Sequence, residues 1–155
     1  MSDVKDQFAG DGIILERAIS YWIARVHAAN RTIMYRRFRQ AGLSMTPEQW
    51  MVLVRLWEAE GRSQADLAAS TSRDAPTVSR ILDVMERDGW ILRKTDPADA
   101  RGRLVYLTKQ GHALRQTLVP VARVLVEVVE RDIPERDLEI TRRTLERIAR
   151  NLEGA

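Results

Sequence analysis

Residues 74–89 constrain the fold more than any other stretch of this chain. Asp74 can accept hydrogen bonds from the free N–H groups that begin a helix, and Pro76 loses no hydrogen bond in a first turn. Gly89 is suited to the left-handed conformation that ends many helices. Between these ends, apolar side chains recur with the spacing of one helix face, at Val78, Ile81, Leu82 and Met85. The stretch therefore predicts an amphipathic helix that begins after Asp74 and ends at Asp88.

Short elements on both sides of this helix predict a helix-turn-helix followed by a β-hairpin. Upstream, residues 63–69 begin with a serine that can cap a short helix, and a Ser/Thr-rich turn over residues 70–73 follows. Downstream, residues 90–94 and 103–107 are short β-prone runs, and the polar tip between them contains proline and glycine. A hairpin directly after a helix-turn-helix is a wing, so this part of the chain predicts a winged helix-turn-helix.

The polar face of the second predicted helix has the chemistry that contacts DNA. Thr77, Ser79 and Arg80 lie off the apolar stripe, and such groups contact base edges and phosphates when a helix enters the major groove. Residues 90–115 contain six basic and two acidic side chains, a net charge of +4, whereas the whole chain has only +3. A basic hairpin can also be simply solvated, but its place after a helix-turn-helix favours contact with DNA.

The chain resembles the MarR family of winged-helix transcriptional regulators through motifs whose order and spacing are specific together. These motifs are Thr77-Val78-Ser79-Arg80, Gly89, Asp99-Ala100-Arg101-Gly102-Arg103, and Leu107-Thr108 with Gly111. The flanking helices also fit, so the resemblance extends over nearly the whole chain. It implies that Arg101 enters the minor groove or contacts its phosphates while Asp99 braces it. The candidate DNA-binding residues are Ser63, Gln64, Arg73, Pro76, Thr77, Ser79, Arg80, Arg101 and Arg103.

Two predicted helices precede the helix-turn-helix. After a polar, frayed segment over residues 1–11, an apolar stripe predicts one long helix over residues 13–41. The sequence Thr46-Pro47-Glu48-Gln49 is a capping box with proline at the first helical position, and it begins a helix over residues 47–60. The predicted inward face of this second helix consists of Trp50, Leu53, Val54 and Trp57.

Two more helices are predicted after the wing. Thr108 caps a helix over residues 109–131, which Pro120 is expected to kink, and residues 135–152 form the last helix. The terminal helices carry more apolar surface than a small winged-helix core can cover, and the family resemblance implies that they pair with those of a second subunit. We therefore expect residues 1–42 and 109–155 to form a dimerisation region and residues 43–108 to form the DNA-binding domain.

The composition excludes several classes of protein. The 155 residues include no cysteine, which excludes disulfides and thiolate metal sites, and 45% are hydrophobic, which is enough for a core. Without a long apolar run or a signal peptide, a cytoplasmic protein with no membrane contact is expected. No nucleophile motif or phosphate loop is present, so we predict neither an enzyme nor a cofactor. A metal site built from His27, His112 and a carboxylate has little support.

The family resemblance also implies a small-molecule pocket, often for aromatic acids, where the dimerisation helices meet the DNA-binding lobe. Placed by position alone, the candidate ligand-binding residues are Trp22, His27, Arg31 and Trp50. Arg31 could pair with a carboxylate, although arginines near a helix C-terminus also interact favourably with its dipole. For each tryptophan, ordinary core packing is the alternative explanation.

These observations lead to one hypothesis and two alternatives. We predict a homodimeric DNA-binding transcriptional regulator, a repressor that acts on a near-palindromic operator and is released by a small aromatic or phenolic ligand. One alternative is a winged-helix module that binds proteins without binding DNA, which the arginines of the wing and Thr77 and Arg80 disfavour. The other is a helical enzyme that binds small molecules, which the missing catalytic groups disfavour.

Overall fold

The predicted fold class, mainly helical with a small β-hairpin wing, is confirmed by a computed structural model that describes residues 8–9 and 12–155. The helices are α1 (Ile19–Gln40), α2 (Pro47–Glu58), α3 (Gln64–Ser70), α4 (Ala75–Arg87), α5 (Lys109–Glu130) and α6 (Glu135–Glu153). The strands are β1 (Phe8–Ala9), β2 (Gly12–Ile13), β3 (Arg62–Ser63), β4 (Ile91–Asp96) and β5 (Asp99–Leu107).

The wing is a β-hairpin to which one short strand is added. Strand β5 lies in the middle and pairs antiparallel with both β4 and β3, with Ile91 opposite Leu107 and Arg62 opposite Val105. The hairpin is longer than predicted, because residues 95–96 and 99–102 continue the strands and only Pro97 and Ala98 separate them. These added residues are mostly polar and lack the alternating apolar pattern that identifies a strand in sequence.

Local capping determines where α2 and α5 begin, as predicted. The Thr46 N–H donates to Gln49 Oε1 at 2.8 Å, and the Gln49 N–H donates to Thr46 Oγ1 at 3.2 Å, which completes the capping box. The Gly111 N–H donates to Thr108 Oγ1 at 3.1 Å at the start of α5. Each cap satisfies backbone groups that a helix end leaves without a partner.

The prediction of one helix over residues 13–41 was wrong at its N-terminal end. Gly12 and Ile13 form β2, residues Leu15–Arg17 form a 3₁₀ turn, and α1 begins only at Ile19, after an extended Ala18. The apolar spacing across this segment does not distinguish an α turn from a 3₁₀ turn, and no side chain caps α1 at Ala18. The expectation of a frayed segment over residues 1–11 lies outside the described residues, except at Phe8–Ala9, where β1 pairs with β2.

The core of the winged helix is built from α2, α3, α4, the hairpin and the start of α5. Val78, Leu82 and Met85 of α4 are fully buried, as the predicted stripe requires, and Ile81 packs at the edge of the core. The inward face of α2 was only partly predicted. Leu53 is buried, but its fully covered apolar neighbours are Val52 and Leu56.

The tryptophans of α2 lie at the edge of the core. The Trp50 ring lies 5.8 Å from Phe38 and 5.6 Å from Trp57, measured between ring centroids, and both indoles are half-buried. The Trp57 Nε1–H donates to the Gly111 carbonyl at 3.1 Å, so this indole also joins α2 to α5. Large amphipathic rings often occupy such boundary positions, because one end can pack while the polar end finds a partner.

The described residues form two compact units, one that extends to Val121 and another over Ala122–Ala155. Pro120 lies inside α5 as expected. In the second unit, apolar side chains remain exposed on both helical segments, among them Val126, Val129, Ile140 and Leu145. Among the residues described, no helix is long and apolar enough to cross a lipid bilayer.

Gly111 marks the closest approach between the start of α5 and the hairpin. A Cβ atom built at this position would lie only 2.0 Å from the Trp90 carbonyl oxygen. Because the obstructing atom belongs to the backbone, we expect Gly111→Ala to lower the free energy of unfolding by at least about 1–3 kcal/mol in urea denaturation. Gly154→Ala is the matched control, since its Cβ would meet Arg150 O at an ordinary 3.6 Å. Equal stability of the two variants would contradict this account of the packing.

Candidate nucleic-acid interface

Asp74 fixes the start of α4, the predicted recognition helix. Its Oδ1 accepts from the Thr77 N–H at 2.7 Å, and its Oδ2 accepts from the Thr77 hydroxyl at 2.8 Å. The N–H hydrogen bond is the main cause, and the hydroxyl hydrogen bond the second, of a pKa for Asp74 below its ordinary value. The Thr77 hydroxyl proton is therefore used within the protein, which leaves its oxygen lone pairs and its methyl group for contact with a base.

The other candidates on α4 differ in how far they are exposed. Pro76 and Arg80 are exposed, whereas Thr77 and Ser79 are half-buried. The Ser79 carbonyl accepts from Arg93 Nη2 at 3.4 Å, so the backbone at this position faces the wing. Arg80 is therefore the candidate on this helix with the greatest reach toward a duplex.

Two candidates lie at the start of the helix-turn-helix, one as the cap of α3 and the other in its first turn. Ser63 caps α3, because its Oγ accepts from the Asp66 N–H at 3.1 Å. Gln64 Nε2 donates to the Ala75 carbonyl at 3.3 Å and so links the first turn of α3 to the first turn of α4. The structure thus brings Gln64 beside the start of α4, whereas Ser63 acts at the start of α3, and both side chains have structural roles.

The wing carries its predicted arginines in different environments. Arg103 is exposed, and its Nη1 donates to Thr95 Oγ1 across the hairpin at 3.1 Å. Lys94 lies over the Tyr106 ring, with Nζ 4.9 Å from the ring centroid. The side chain of Arg101 lies outside the described part of the chain, so the predicted bracing of Arg101 by Asp99 stays a prediction.

Arg93 links the wing to α4, a role that the sequence analysis missed. Both of its Nη atoms donate to Asp83 Oδ1, at 2.7 and 2.8 Å, and its backbone N–H donates to Glu86 Oε1 at 3.1 Å. The charge of Arg93, which contributed to the +4 counted for the wing region, is thus balanced within the protein. Two acids spaced i,i+3 on the exposed side of α4 were the available signal, because residues with this spacing share a helix face.

A cleft of about 220 Å³ lies between α1, α2 and the helix-turn-helix. Two of the four candidate ligand residues, His27 and Arg31, line it. The apolar part of its wall includes Met34, Met51 and Ile81. A cleft with an apolar wall and a few polar groups has the composition of a small-molecule site.

The two candidate tryptophans are not among the lining residues of this cleft. Trp50 belongs to the aromatic cluster with Phe38 and Trp57. Trp22 is exposed, and its Nε1–H donates to the Glu16 carbonyl at 2.8 Å. Position along the chain placed them near a pocket, but a helical residue faces only one direction, and periodicity alone does not reveal what lies opposite.

Glu48 is the acidic residue of the cleft and contacts two of the candidate arginines. Its Oε1 accepts from Arg31 Nη1 and lies 3.4 Å from Arg73 Nη2. Burial raises the pKa of this carboxyl. A hydrogen bond from backbone N–H and the two guanidinium groups lower it, and together they outweigh burial, so the pKa of Glu48 lies below its ordinary value. Arg73, predicted as a DNA-binding residue, is therefore paired with an acid in this structure.

The histidines do not come together. His27 lines the cleft, whereas His112 Nε2 lies 2.9 Å from Glu60 Oε1, a pair that the sequence analysis did not predict. Within residues 8–9 and 12–155, no three His, Asp or Glu side chains form a group that could hold a metal ion.

Comparisons with known proteins identify relatives of this fold. The sequence model of the MarR family matches residues 45–102. The chain is 27% identical over 133 residues to the HTH-type transcriptional repressor IacR of Pseudomonas putida, covering 86% of this chain and 78% of that protein. It is 34% identical over 95 residues to the homoprotocatechuate degradative operon repressor of Escherichia coli, covering 61% of this chain and 64% of that repressor.

Solved structures extend the likeness beyond the helix-turn-helix. The crystal structure of CouR from Rhodococcus jostii RHA1 bound to p-coumaroyl-CoA matches with a TM-score of 0.76 at 27% identity, covering 87% of this chain and 94% of that one. The chain spans about half the length of several curated relatives that it matches, 46% of one and 54% of another.

The charge of Asp74 gives the cap of α4 a defined pH dependence. Because the pKa of Asp74 is lowered by folding, its charge contributes stability above the ordinary value of 3.8, and this contribution is lost as the pH falls through the lowered value. We expect Asp74→Ala to unfold more readily than wild type at pH 7 and the difference to shrink on acidification. Asp74→Asn is the control, because asparagine also caps helices but does not titrate. Urea denaturation between pH 7 and pH 3 measures this, and a difference that stayed constant would contradict it.

Proposed function

We propose that this member of the MarR family of winged-helix transcriptional regulators binds double-stranded DNA as a homodimer and represses transcription until a small aromatic acid releases it. The main support for this proposal is that the start of α4 is exposed, with Arg80 in solvent. In addition, Arg93 joins the wing to the same helix through hydrogen bonds to Asp83. A helix and a hairpin in this relation can contact a major groove and the adjacent backbone together.

The dimer is supported by apolar side chains that the single chain leaves in water. At the start of α1 and just before it, Leu15, Ile19 and Val26 have more than half of their surface exposed, at 55%, 53% and 59%. Leu152 in α6 is 72% exposed. A second copy of the chain would bury such surface, and each Å² of apolar area removed from water contributes about 25 cal/mol before the entropy cost of association.

The ligand is supported by the cleft that His27 and Arg31 line. Its volume of about 220 Å³ suits a molecule with a single aromatic ring, and the methionines in its wall provide adaptable apolar contact. Arg31 is half-exposed, and its guanidinium can donate two parallel N–H hydrogen bonds to a carboxylate. A ligand acts on DNA binding only if it binds the DNA-competent and incompetent conformations with different affinities.

Substitution of Arg80 tests the mode of DNA binding. In a dimer, two α4 helices related by a two-fold axis require a near-palindromic site, with half-sites about 34–36 Å apart if they enter successive major grooves. Selection of bound sequences from a random duplex pool would define that site. We expect Arg80→Ala to relax the preference at one symmetric pair of positions, a loss of about 1–3 kcal/mol of discrimination, if Arg80 contacts a guanine.

If Arg80 contacts only phosphate, the same substitution weakens binding to all sequences alike. Thr77→Ala should cost less, because the Thr77 hydroxyl is already bonded to Asp74. Arg136→Ala, in α6, removes the same charge at a distance in sequence from the helix-turn-helix and controls for net charge. Unchanged affinity and preference in the Arg80 and Thr77 variants would overturn the assignment of α4 as the recognition helix.

Benzoate and its uncharged analogue benzamide test the ligand proposal. Binding is best measured by calorimetry rather than by tryptophan fluorescence, because Trp22 and Trp50 are not among the residues that line the cleft. We expect benzoate to bind more tightly than benzamide, and Arg31→Gln to weaken benzoate by roughly tenfold or more, the effect of a lost hydrogen bond to a charged group. Arg36→Gln, on the same helix but outside the cleft, should bind benzoate as wild type does. Equal binding of benzoate and benzamide would count against a carboxylate ligand.

A further inference from the structure

Two arginines from different parts of the fold meet at a single oxygen atom. Arg31 of α1 and Arg73 of the turn before α4 both contact Oε1 of Glu48, in the first turn of α2. The Glu48 side chain is only 15% exposed, whereas Arg31 and Arg73 are 50% and 41% exposed. The acid is thus held in place by its surroundings, and the two cations are the partners that can move.

The position of Arg73 connects this charge cluster to the recognition helix. Arg73 directly precedes Asp74, the residue that caps α4. Its backbone N–H donates to the Ala68 carbonyl at 3.0 Å, which keeps the main chain of the turn fixed. Because only its exposed side chain is free to change direction, the guanidinium can point to Glu48 or toward a phosphate beside the start of α4.

We propose that Arg31 and Arg73 compete for Glu48, and that this competition determines whether Arg73 is available to contact the phosphate backbone of DNA. The inference rests on the proposed function and specifies how the cleft would regulate it. While Arg31 contacts Oε1, it competes with Arg73, and Glu48 therefore binds Arg73 less strongly. When Arg31 is drawn to a carboxylate ligand in the cleft, Glu48 keeps Arg73 as its remaining partner.

The sign of the effect follows from the charges. The cluster contains two positive groups and one negative group, so a single added anion balances it and removes the surplus charge that would otherwise attract phosphate. The anion lies near both arginines, so its own field also holds Arg73 on the side of the cleft. By linkage, DNA that takes Arg73 leaves Arg31 as the counter-charge of Glu48 and lowers the affinity for the anion by the same factor.

Three substitutions test the competition without any ligand. The assay is fluorescence anisotropy with a labelled mixed-sequence duplex at several salt concentrations, using the full chain. We expect Arg73→Gln to weaken binding and to reduce the salt dependence by about one unit of slope per subunit. Glu48→Gln should tighten binding and Arg31→Gln should weaken it, each by about two- to fivefold, the range of partly exposed ion pairs.

The coupling is tested in the Arg73→Gln background, where both Glu48→Gln and Arg31→Gln should lose their effect on affinity. Glu58→Gln is the matched control, because Glu58 lies on the same helix and pairs with Arg55 and Arg62 instead. Thermal unfolding of each variant separates a folding defect from a change in binding.

The outcomes distinguish this inference from the function on which it rests. If wild type does not bind the duplex at low salt, the proposed function fails and the inference fails with it. If wild type binds but Glu48→Gln behaves as Glu58→Gln does, the function stands and the competition is overturned. The same conclusion follows if the Glu48 and Arg31 substitutions keep their effects in the absence of Arg73.

Discussion

The burial of one face of α4 determines how this helix is oriented and which of its side chains reach solvent. Val78, Leu82 and Met85 are inaccessible to solvent, and burying side chains of this size contributes about 1.5–3 kcal/mol each. With that face fixed in the core, the rotation of the helix is determined, and Arg80 has to lie on the opposite side. The capping by Asp74 and the contact from Gln64 then fix the start of the helix. The features proposed to contact DNA thus follow from ordinary packing requirements.

Arg93 shows a different way of fixing geometry. Its side chain is only 20% exposed and contacts Asp83 and Glu86, while its Nε is buried without a hydrogen-bond partner in the described chain. Removing charged groups from water is costly, so such a bridge is weak evidence for stability. Its directional hydrogen bonds instead fix the angle between the hairpin and α4, which apolar contact alone would leave less defined. In the proposed complex, α4 and the hairpin would meet one duplex together, so this angle would matter more than the net stability of the pair.

The parts of the fold that were predicted correctly are those determined by local chemistry. The capping box at Thr46, the cap and proline at the start of α4, and Thr108 before α5 each satisfy backbone groups within four residues, so the sequence contains all the required information. The start of α1 has no such side-chain cap, and it was placed too early. The ends of the hairpin were also misplaced, because polar strand residues near a wing tip resemble a loop in sequence.

The site was predicted less completely, because its contacts join residues that are far apart in the chain. Arg31 and Arg73 were chosen for separate roles, one for a ligand and one for DNA, and only the structure brings both to Glu48. Trp22 and Trp50 were chosen by position, and the direction in which a side chain faces depends on packing between helices. Charge patterns along the sequence identify which residues are basic, but they do not reveal which charges are balanced internally. Arg93 is balanced by acids of α4, whereas the cleft arginines share one acid.

The sharing of Glu48 by Arg31 and Arg73 is the feature of the structure that the proposed regulation would use. A fully balanced arginine such as Arg93 fixes a shape and has little freedom to respond to a ligand. A pair of half-exposed arginines around one carboxylate is different, because partly exposed ion pairs of this kind can exchange partners at a cost of about 1 kcal/mol. The coupling free energy between two sites in a regulatory protein is typically about 1–3 kcal/mol. The free energy of exchanging partners at such a cluster, in each subunit of the proposed dimer, would be of the same order. The weakness of the Glu48 contacts is therefore what would allow a small anion to change the affinity for DNA.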